Sequence, residues 1–125
     1  MRLLLDTHIY IWAVMGSRRL TRSARAMIRD ADSVFVSAAS IWEAAIKAGL
    51  GKLDADAGLL ASEIEPSGFI ELPVRAAHAA MVAKLPDIHR DPFDRLLIAQ
   101  AIIEPLRLVT SDESLAAYSD LVVMV

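Results

Sequence analysis

The sequence predicts an α/β fold in which helices cover both faces of a mainly parallel five-stranded sheet, giving a three-layer α/β/α sandwich. Short apolar runs typical of buried strands alternate along the chain with segments of helical periodicity, and this alternation favours βαβ units. Of the 125 residues, 55% are hydrophobic and only 6% aromatic, so we expect an aliphatic core. This composition excludes disorder, and the length predicts a single domain, residues 1–125.

The first strand is predicted at Arg2–Leu5, an apolar run of the kind that is buried on both faces of a parallel sheet. Asp6 closes this strand, and a helix then begins at about Thr7 and ends at Gly16. A second helix begins after Thr21, a residue type that caps helix N-termini. Its arginines share one helical face, which we expect to be solvated rather than bound to phosphates.

A second strand at Val34–Val36 leads into a helix that ends at Gly49. Within this helix, Ser40 and Glu43 have the spacing of a capping box, in which each side chain bonds the other residue's free backbone amide. A capping box would by itself explain why a glutamate lies at position 43.

The remaining strands are predicted at Phe69–Leu72, Arg107–Thr110 and Leu121–Val125. A helix at about residues 56–65 precedes the first of them, and an alanine-rich helix opened by Pro73 follows it. The alternation of strands and helices therefore continues to the end of the chain.

The segment HRDPFDRLLIAQA, residues 89–101, contains the start of a further helix. Asp91 can cap this helix, Pro92 suits its first position, and Asp94 lies in the first turn, where acidic side chains are favoured. The following residues are mostly apolar, so the helix is expected to be buried and to end at Pro105. A carboxylate at the start of a buried helix either caps it or needs a proton, a cation or a metal.

Charge and composition exclude several classes of protein. The net charge of −3 argues against a generic basic nucleic-acid binder, although four acids gathered at one metal site would leave the remainder at +1. The absence of cysteine excludes disulfides and thiolate metal sites. The apolar run Leu3–Leu5 is too short for a signal peptide or a membrane span, so we expect a soluble cytoplasmic protein.

Four acidic residues fall at strand ends or near helix starts, namely Asp6, Glu43, Asp94 and Asp112. The carboxyl ends of parallel strands meet at one edge of a sheet, where ligands bind in open α/β folds. Gathered carboxylates raise one another's pKa, and a divalent cation relieves their repulsion. Oxygen ligands without cysteine or an obligatory histidine favour Mg²⁺ or Mn²⁺ over Zn²⁺. Such a cation can activate water and stabilise charge on a phosphate, which is the chemistry of phosphodiester hydrolysis.

Four segments resemble, in order and spacing, those of PIN-domain ribonucleases, most closely the VapC-type toxins of bacterial toxin–antitoxin pairs: LLLDTHIYIW, VSAASIWEAAIK, HRDPFDRLLIAQA and LVTSDESLAAY. The resemblance runs from Arg2 to the last strand, and SIWE and DPFDRLLIAQA are its most specific parts. It implies a PIN-like fold and a metal-dependent endoribonuclease. It also implies neutralisation by a cognate antitoxin and, commonly, a homodimer.

The resemblance further implies that the four acids are the catalytic tetrad of the family. Asp6 and Asp94 would be the most direct metal ligands, and Asp112 would complete the site directly or through water. Glu43 would bind a second metal or orient the attacking water.

Other residues near the tetrad have a structural and a functional interpretation. Thr7 and Thr110 are expected to brace the carboxylates or a scissile phosphate. Asp91 either caps its helix or lies in an outer shell of the site. His8 either lies near the site or has only a helix-surface role, and His89 either contacts an RNA phosphate or bonds a local carbonyl.

Two other classes of function are compatible with parts of this sequence. An aspartyl-phosphate enzyme also places an aspartate after its first strand, but Asp6 is followed by Thr7 and His8 without a second acid, and no lysine follows a late strand. A binding module would keep the fold without the chemistry, but binding alone does not require four acids at one edge of the sheet. Failure to bind Mg²⁺ or Mn²⁺ would favour the binding module.

Overall fold

Five parallel strands form one sheet in the order β3-β2-β1-β4-β5. The computed structural model describes all residues from Met1 to Val125. The strands are β1 (Arg2–Leu5), β2 (Ser33–Ser37), β3 (Ile70–Leu72), β4 (Arg107–Thr110) and β5 (Val122–Met124). The α/β class is confirmed, and the sheet is wholly rather than mainly parallel.

Six α-helices connect the strands: α1 (Thr7–Met15), α2 (Arg22–Asp30), α3 (Ala38–Gly49), α4 (Ala57–Ser62), α5 (Ala76–Met81) and α6 (Pro92–Ile103). Two short 3-10 helices lie at Val82–Lys84 and Glu113–Tyr118. No helix has both the length and the apolar character that a membrane crossing requires.

Two apolar clusters lie on opposite faces of the sheet and define the three layers. Successive side chains of a strand point to opposite faces. Leu3 and Leu5 accordingly join the cluster formed with α1, α2 and α4, whereas Leu4 joins the cluster formed with α6. All three leucines are fully buried, so β1 is covered on both faces as its sequence predicts. Each buried leucine contributes roughly 2 kcal/mol of hydrophobic stabilisation.

Several helix ends lie where the sequence places them. The Thr21 hydroxyl accepts the amide of Ala24 at 3.1 Å, which makes it the cap of α2. Gly16 follows α1 with a left-handed φ of 64°, a conformation that glycine adopts without a steric penalty. Asp91 caps α6, and Pro92 occupies its first position.

The capping-box interpretation of Ser40 and Glu43 is wrong. Strand β2 extends through Ser37, whose side chain is buried and accepts the amide of Ala39 at 3.0 Å, so α3 begins one turn earlier than the capping box requires. Ser40 lies instead in the first turn of α3, with its hydroxyl 2.9 Å from that of Thr7. Glu43 is therefore free to face another element.

The alanine-rich helix also begins later than the prediction from Pro73. Helix α5 starts at Ala76 because the ring Nδ1 of His78 accepts the amide of Arg75 at 3.0 Å. The His78 ring is fully buried, and its Nε2 lies 2.6 Å from a carboxylate oxygen of Glu104. This pairing links α5 to the end of α6.

Candidate active site

The strand order reverses between β1 and β4, and the carboxyl ends of these strands open onto a cavity of about 240 Å³. Such a reversal is where open α/β sheets bind ligands. The cavity is lined entirely by polar side chains: Asp6, His8, Glu43, Lys47, His89, Asp91, Asp94, Ser111 and Asp112. All four acids singled out from the sequence, together with Asp91, thus line one cavity.

Asp6 lies directly after β1 at the base of this cavity. One carboxylate oxygen accepts the amide of Thr7 at 2.7 Å, and the other accepts the hydroxyl of Thr110 at 2.6 Å. Burial raises the pKa of Asp6 above its usual value, although both hydrogen bonds oppose the rise. The Thr110 hydroxyl also accepts the amide of Asp112 at 3.0 Å, so one threonine connects two acids.

Glu43 reaches the cavity from α3 and is almost completely buried. One carboxylate oxygen accepts the Thr7 hydroxyl at 2.7 Å, and the other accepts the Lys47 ammonium at 2.6 Å. This hydrogen bond raises the pKa of Lys47, so the ammonium keeps its charge. The role of Lys47 was missed from the sequence, although Glu43 and Lys47 have the i,i+4 spacing of helical ion pairs.

Asp94 lies in the first turn of α6, and its side chain is 14% exposed. Burial, followed by the negative charges of the neighbouring acids Asp6, Asp91, Glu43 and Asp112, raises the pKa of Asp94 to about 8. Without a cation, the Asp94 carboxyl therefore holds a proton at neutral pH. The amide of Asp94 donates to its cap Asp91 at 3.3 Å.

Asp112 occupies the more open side of the cavity, with a side chain that is 43% exposed. The hydroxyl and the amide of Ser114 both donate to it, at 2.7 and 3.0 Å, and the hydroxyl bond is the main cause of its lowered pKa. The ring Nε2 of His89 lies 3.7 Å from Asp112 and 3.6 Å from Asp94. The structure thus places His89 between two acids, which the sequence left open.

The donor set fits a hard divalent cation. Carboxylate oxygens of Asp94 and Asp112 lie within 4.8 Å of each other and of a ring nitrogen of His89, and the remaining acids supply further carboxylate oxygens to the cavity. The raised pKa of Asp94 reflects its burial first and then the negative charges of the neighbouring acids, and a bound cation would oppose both effects. Carboxylate oxygens are the ligands that Mg²⁺ and Mn²⁺ prefer.

Comparison with known sequences identifies two matches that span most of the chain. The family model of the PIN domain matches residues 3–121. Ribonuclease VapC22 of Mycobacterium tuberculosis is 32% identical over 121 residues, which cover 92% of this chain and 90% of that protein.

Solved structures share the fold at lower sequence identity. VapBC2 from Rickettsia felis, bound to a DNA fragment from its promoter, matches with a TM-score of 0.70 and 16% identity over 100% of this chain and 98% of that chain. FitAcB from Neisseria gonorrhoeae matches with a TM-score of 0.67 and 22% identity over 98% of this chain and 96% of that chain. A toxin–antitoxin complex from Klebsiella pneumoniae matches with a TM-score of 0.69 and 18% identity over the same shares.

Proposed function

Since the chain belongs to the PIN-domain family, as a VapC-type member, we propose that it is an endoribonuclease that hydrolyses RNA phosphodiester bonds with Mg²⁺ or Mn²⁺ at its carboxylate cluster. The observation that carries this proposal is the convergence of five acids on one cavity at the carboxyl ends of β1 and β4. A cavity of this charge repels a polyanion until a cation neutralises it. The acids are therefore best explained as ligands.

Asp6, Asp94 and Asp112 are the residues that would hold the cation. When bound, the cation would activate a water molecule and stabilise the charge that develops on the phosphate. Thr110 fixes the carboxylate of Asp6 and the backbone of Asp112 through its single hydroxyl. The cation ligands are thereby held in place before RNA arrives.

Glu43 has a different role in this proposal. Both of its oxygens already accept hydrogen bonds, from Thr7 and Lys47, so it is a weaker candidate for a metal ligand than the three aspartates. The Lys47 ammonium, 33% exposed, brings a positive charge to the same cavity. We assign this pair to orienting the attacking water and attracting the RNA phosphate.

Cleavage of a labelled total-RNA pool tests the proposal. Wild type should cleave with Mg²⁺ or Mn²⁺ and not with EDTA, and Asp94→Asn should lose cleavage because a neutral amide replaces a ligand charge. The matched control is Asp54→Asn, which changes an exposed aspartate outside the cavity and should cleave like wild type. Full activity of purified Asp94→Asn would overturn the proposed mechanism, and absence of Mn²⁺ binding to wild type would favour the binding module.

A cognate antitoxin is the proposed protein partner, and we place both proteins in the cytoplasm, where RNA is available. Structures of VapBC2 and of a toxin–antitoxin complex share this fold. Large apolar side chains remain exposed on the helices, including Trp42 at 61% and Leu50 at 65% on or next to α3. Titration with the product of the neighbouring gene should inhibit cleavage stoichiometrically, and no effect at excess would contradict this partnership.

A homodimer is the proposed assembly, as the VapC-type resemblance implies. Sedimentation equilibrium should give twice the chain mass of 13.6 kDa. A constant mass of one chain over the concentration range would contradict the dimer.

A further inference from the structure

The backbone of His89 is held on both sides although it lies outside any helix or strand. Its amide donates to the Tyr118 hydroxyl at 2.6 Å, and the same hydroxyl donates to its carbonyl oxygen at 3.1 Å. The Arg95 guanidinium also approaches this carbonyl, at 3.4 Å, and the Tyr118 hydroxyl, at 3.2 Å. These contacts fix the position from which the imidazole projects.

The imidazole ring is oriented by one further hydrogen bond. Ring Nδ1 of His89 accepts the backbone amide of Asp91 at 3.0 Å. A backbone amide can only donate, so Nδ1 carries no proton and the neutral ring must carry its proton on Nε2. The protonated ring also carries a hydrogen on Nε2, so this atom is a donor in both charge states.

The Nε2–H group has no hydrogen-bond partner in the protein. It points between Asp94 and Asp112, whose nearest oxygens are 3.6 and 3.7 Å away, beyond hydrogen-bond distance. The side chain of His89 is 24% exposed and lines the carboxylate cavity. The ammonium of Lys47, which also lines this cavity, already donates to Glu43.

We propose that His89 binds substrate directly, by donating a hydrogen bond from Nε2 to a non-bridging oxygen of the RNA phosphate at the carboxylate cavity. This inference rests on the proposed nuclease function and adds a substrate-binding residue to it. A donor whose backbone and ring are already fixed loses little freedom on binding, so it suits recognition of a phosphate. Donation to an anionic oxygen is also stronger than donation to a neutral one.

A role as metal ligand is less compatible with the same geometry. Coordination through Nε2 would move the ring proton to Nδ1 and set it against the Asp91 amide, so the hydrogen bond that orients the ring would be lost. The phosphate contact keeps that bond intact.

Two amide substitutions test the roles of the two ring nitrogens separately. His89→Gln places an amide donor near the position of Nε2, whereas His89→Asn keeps only an acceptor near Nδ1 for the Asp91 amide. The first measurement is the affinity for a labelled mixed-sequence RNA by fluorescence anisotropy, with Ca²⁺ replacing Mg²⁺ to suppress cleavage. The second is Mn²⁺ affinity by titration calorimetry, without RNA.

We expect RNA affinity within about threefold of wild type for His89→Gln and a loss of about tenfold for His89→Asn. Mn²⁺ affinity should stay within about twofold of wild type in both variants, because the imidazole is not a ligand in this proposal. In cleavage assays the loss should appear mainly in KM.

Four outcomes would overturn the inference. If His89→Asn retained RNA affinity while His89→Gln lost it, the ring would serve only to anchor the loop through Nδ1. An equal loss of RNA affinity in both variants would show that a donor at the position of Nε2 is not what binds RNA. Wild-type RNA affinity in both would remove any substrate contact. A tenfold or greater fall in Mn²⁺ affinity in both would make the ring a ligand. Failure of the proposed function is distinct, since wild type itself would then neither bind nor cleave RNA, and the inference would fall with it.

Discussion

Asp94 shows, at the scale of one residue, how a proposed metal ligand opposes folding. Its carboxyl is mostly buried beside other acids and accepts no hydrogen bond from the protein, so its pKa rises from 3.8 to about 8. Because the pKa of Asp94 is higher in the folded than in the unfolded state, the contribution of this carboxyl to the free energy of unfolding is fully present only below about pH 4. That contribution is lost as the pH rises toward 8.

Replacing this carboxyl should therefore stabilise the metal-free protein at alkaline pH. In EDTA at pH 8.5, Asp94→Asn is expected to melt about 5 °C above wild type, because it removes an unpaired buried charge. At about pH 3.5, where the Asp94 carboxyl is mostly protonated in both the folded and the unfolded state, the two melting temperatures should agree. Asp54→Asn serves as the control and should follow wild type at both pH values. If the melting temperatures of Asp94→Asn and wild type changed equally with pH, the raised pKa of Asp94 would be contradicted.

Thr110 supports two acids through one hydroxyl group, so its loss should affect both stability and metal binding. Thr110→Val keeps the shape but removes the donor to Asp6 and the acceptor for the Asp112 amide. We expect a loss of about 1–3 kcal/mol in the free energy of unfolding, measured by urea denaturation. Mn²⁺ affinity should fall about tenfold. Ser23→Ala, at an exposed serine of α2 outside the cavity, is the control. Unchanged Mn²⁺ affinity in Thr110→Val would contradict the supporting role.

At the scale of elements, α6 organises the segment that precedes it. Arg95 donates to the carbonyl oxygens of Val82 and Pro86, at 3.0 and 2.9 Å, besides its contacts to His89 and Tyr118. One planar guanidinium thus holds the residues between the 3-10 helix Val82–Lys84 and α6. The segment that carries His89 and Asp91 is positioned by the helix that follows it.

The guanidinium geometry is what this arrangement requires. Arg95→Lys keeps the charge but offers a single ammonium, which cannot reach all four acceptors. We expect faster amide exchange over residues 86–91 by hydrogen–deuterium exchange mass spectrometry, and RNA affinity lower by about threefold. Arg90→Lys, at an exposed arginine without such bonds, should exchange like wild type. If amide exchange over residues 86–91 were as slow in Arg95→Lys as in wild type, Arg95 would not be what holds this segment.

At the scale of the whole molecule, a cation should couple stability to pH. A ligand that binds only the folded state stabilises it, by about 2.7 kcal/mol at a concentration of 100 Kd. Asp94 must lose its proton to bind the cation, and its pKa of about 8 means that protons compete at neutral pH. Mn²⁺ affinity should therefore increase with pH up to about 8.

Melting temperatures with and without Mn²⁺ measure this coupling. The increase caused by a fixed Mn²⁺ concentration should be larger at pH 8 than at pH 6, and it should be much reduced in Asp94→Asn. Calorimetry at pH 7 in buffers of different ionisation enthalpy should detect release of about one proton for each cation bound. A pH-independent increase in wild type would exclude Asp94 as a ligand.

Local features of the fold were predictable because they depend on neighbours in sequence. Apolar runs predicted the strands, and residues such as Thr21 and Asp91 marked helix starts within a residue or two. The capping-box prediction at Ser40 failed for a physical reason. Ser40 and Glu43 have the spacing of a capping box, but both side chains bond a residue of α1 instead of each other's backbone amides. Thr7, more than thirty positions away, bonds both Ser40 and Glu43.

The sequence by itself determined the fold class and the alternation of elements, and it singled out the acids that we propose carry the chemistry. Only the tertiary structure decided which of these residues meet. The strand order places Thr110 against Asp6 across 104 positions of sequence and brings His89 between Asp94 and Asp112. Periodicity and capping act over three or four residues, whereas burial, charge repulsion and ring orientation depend on packing between distant segments. The raised pKa of Asp94 and the free Nε2–H of His89 exist only once that packing has formed.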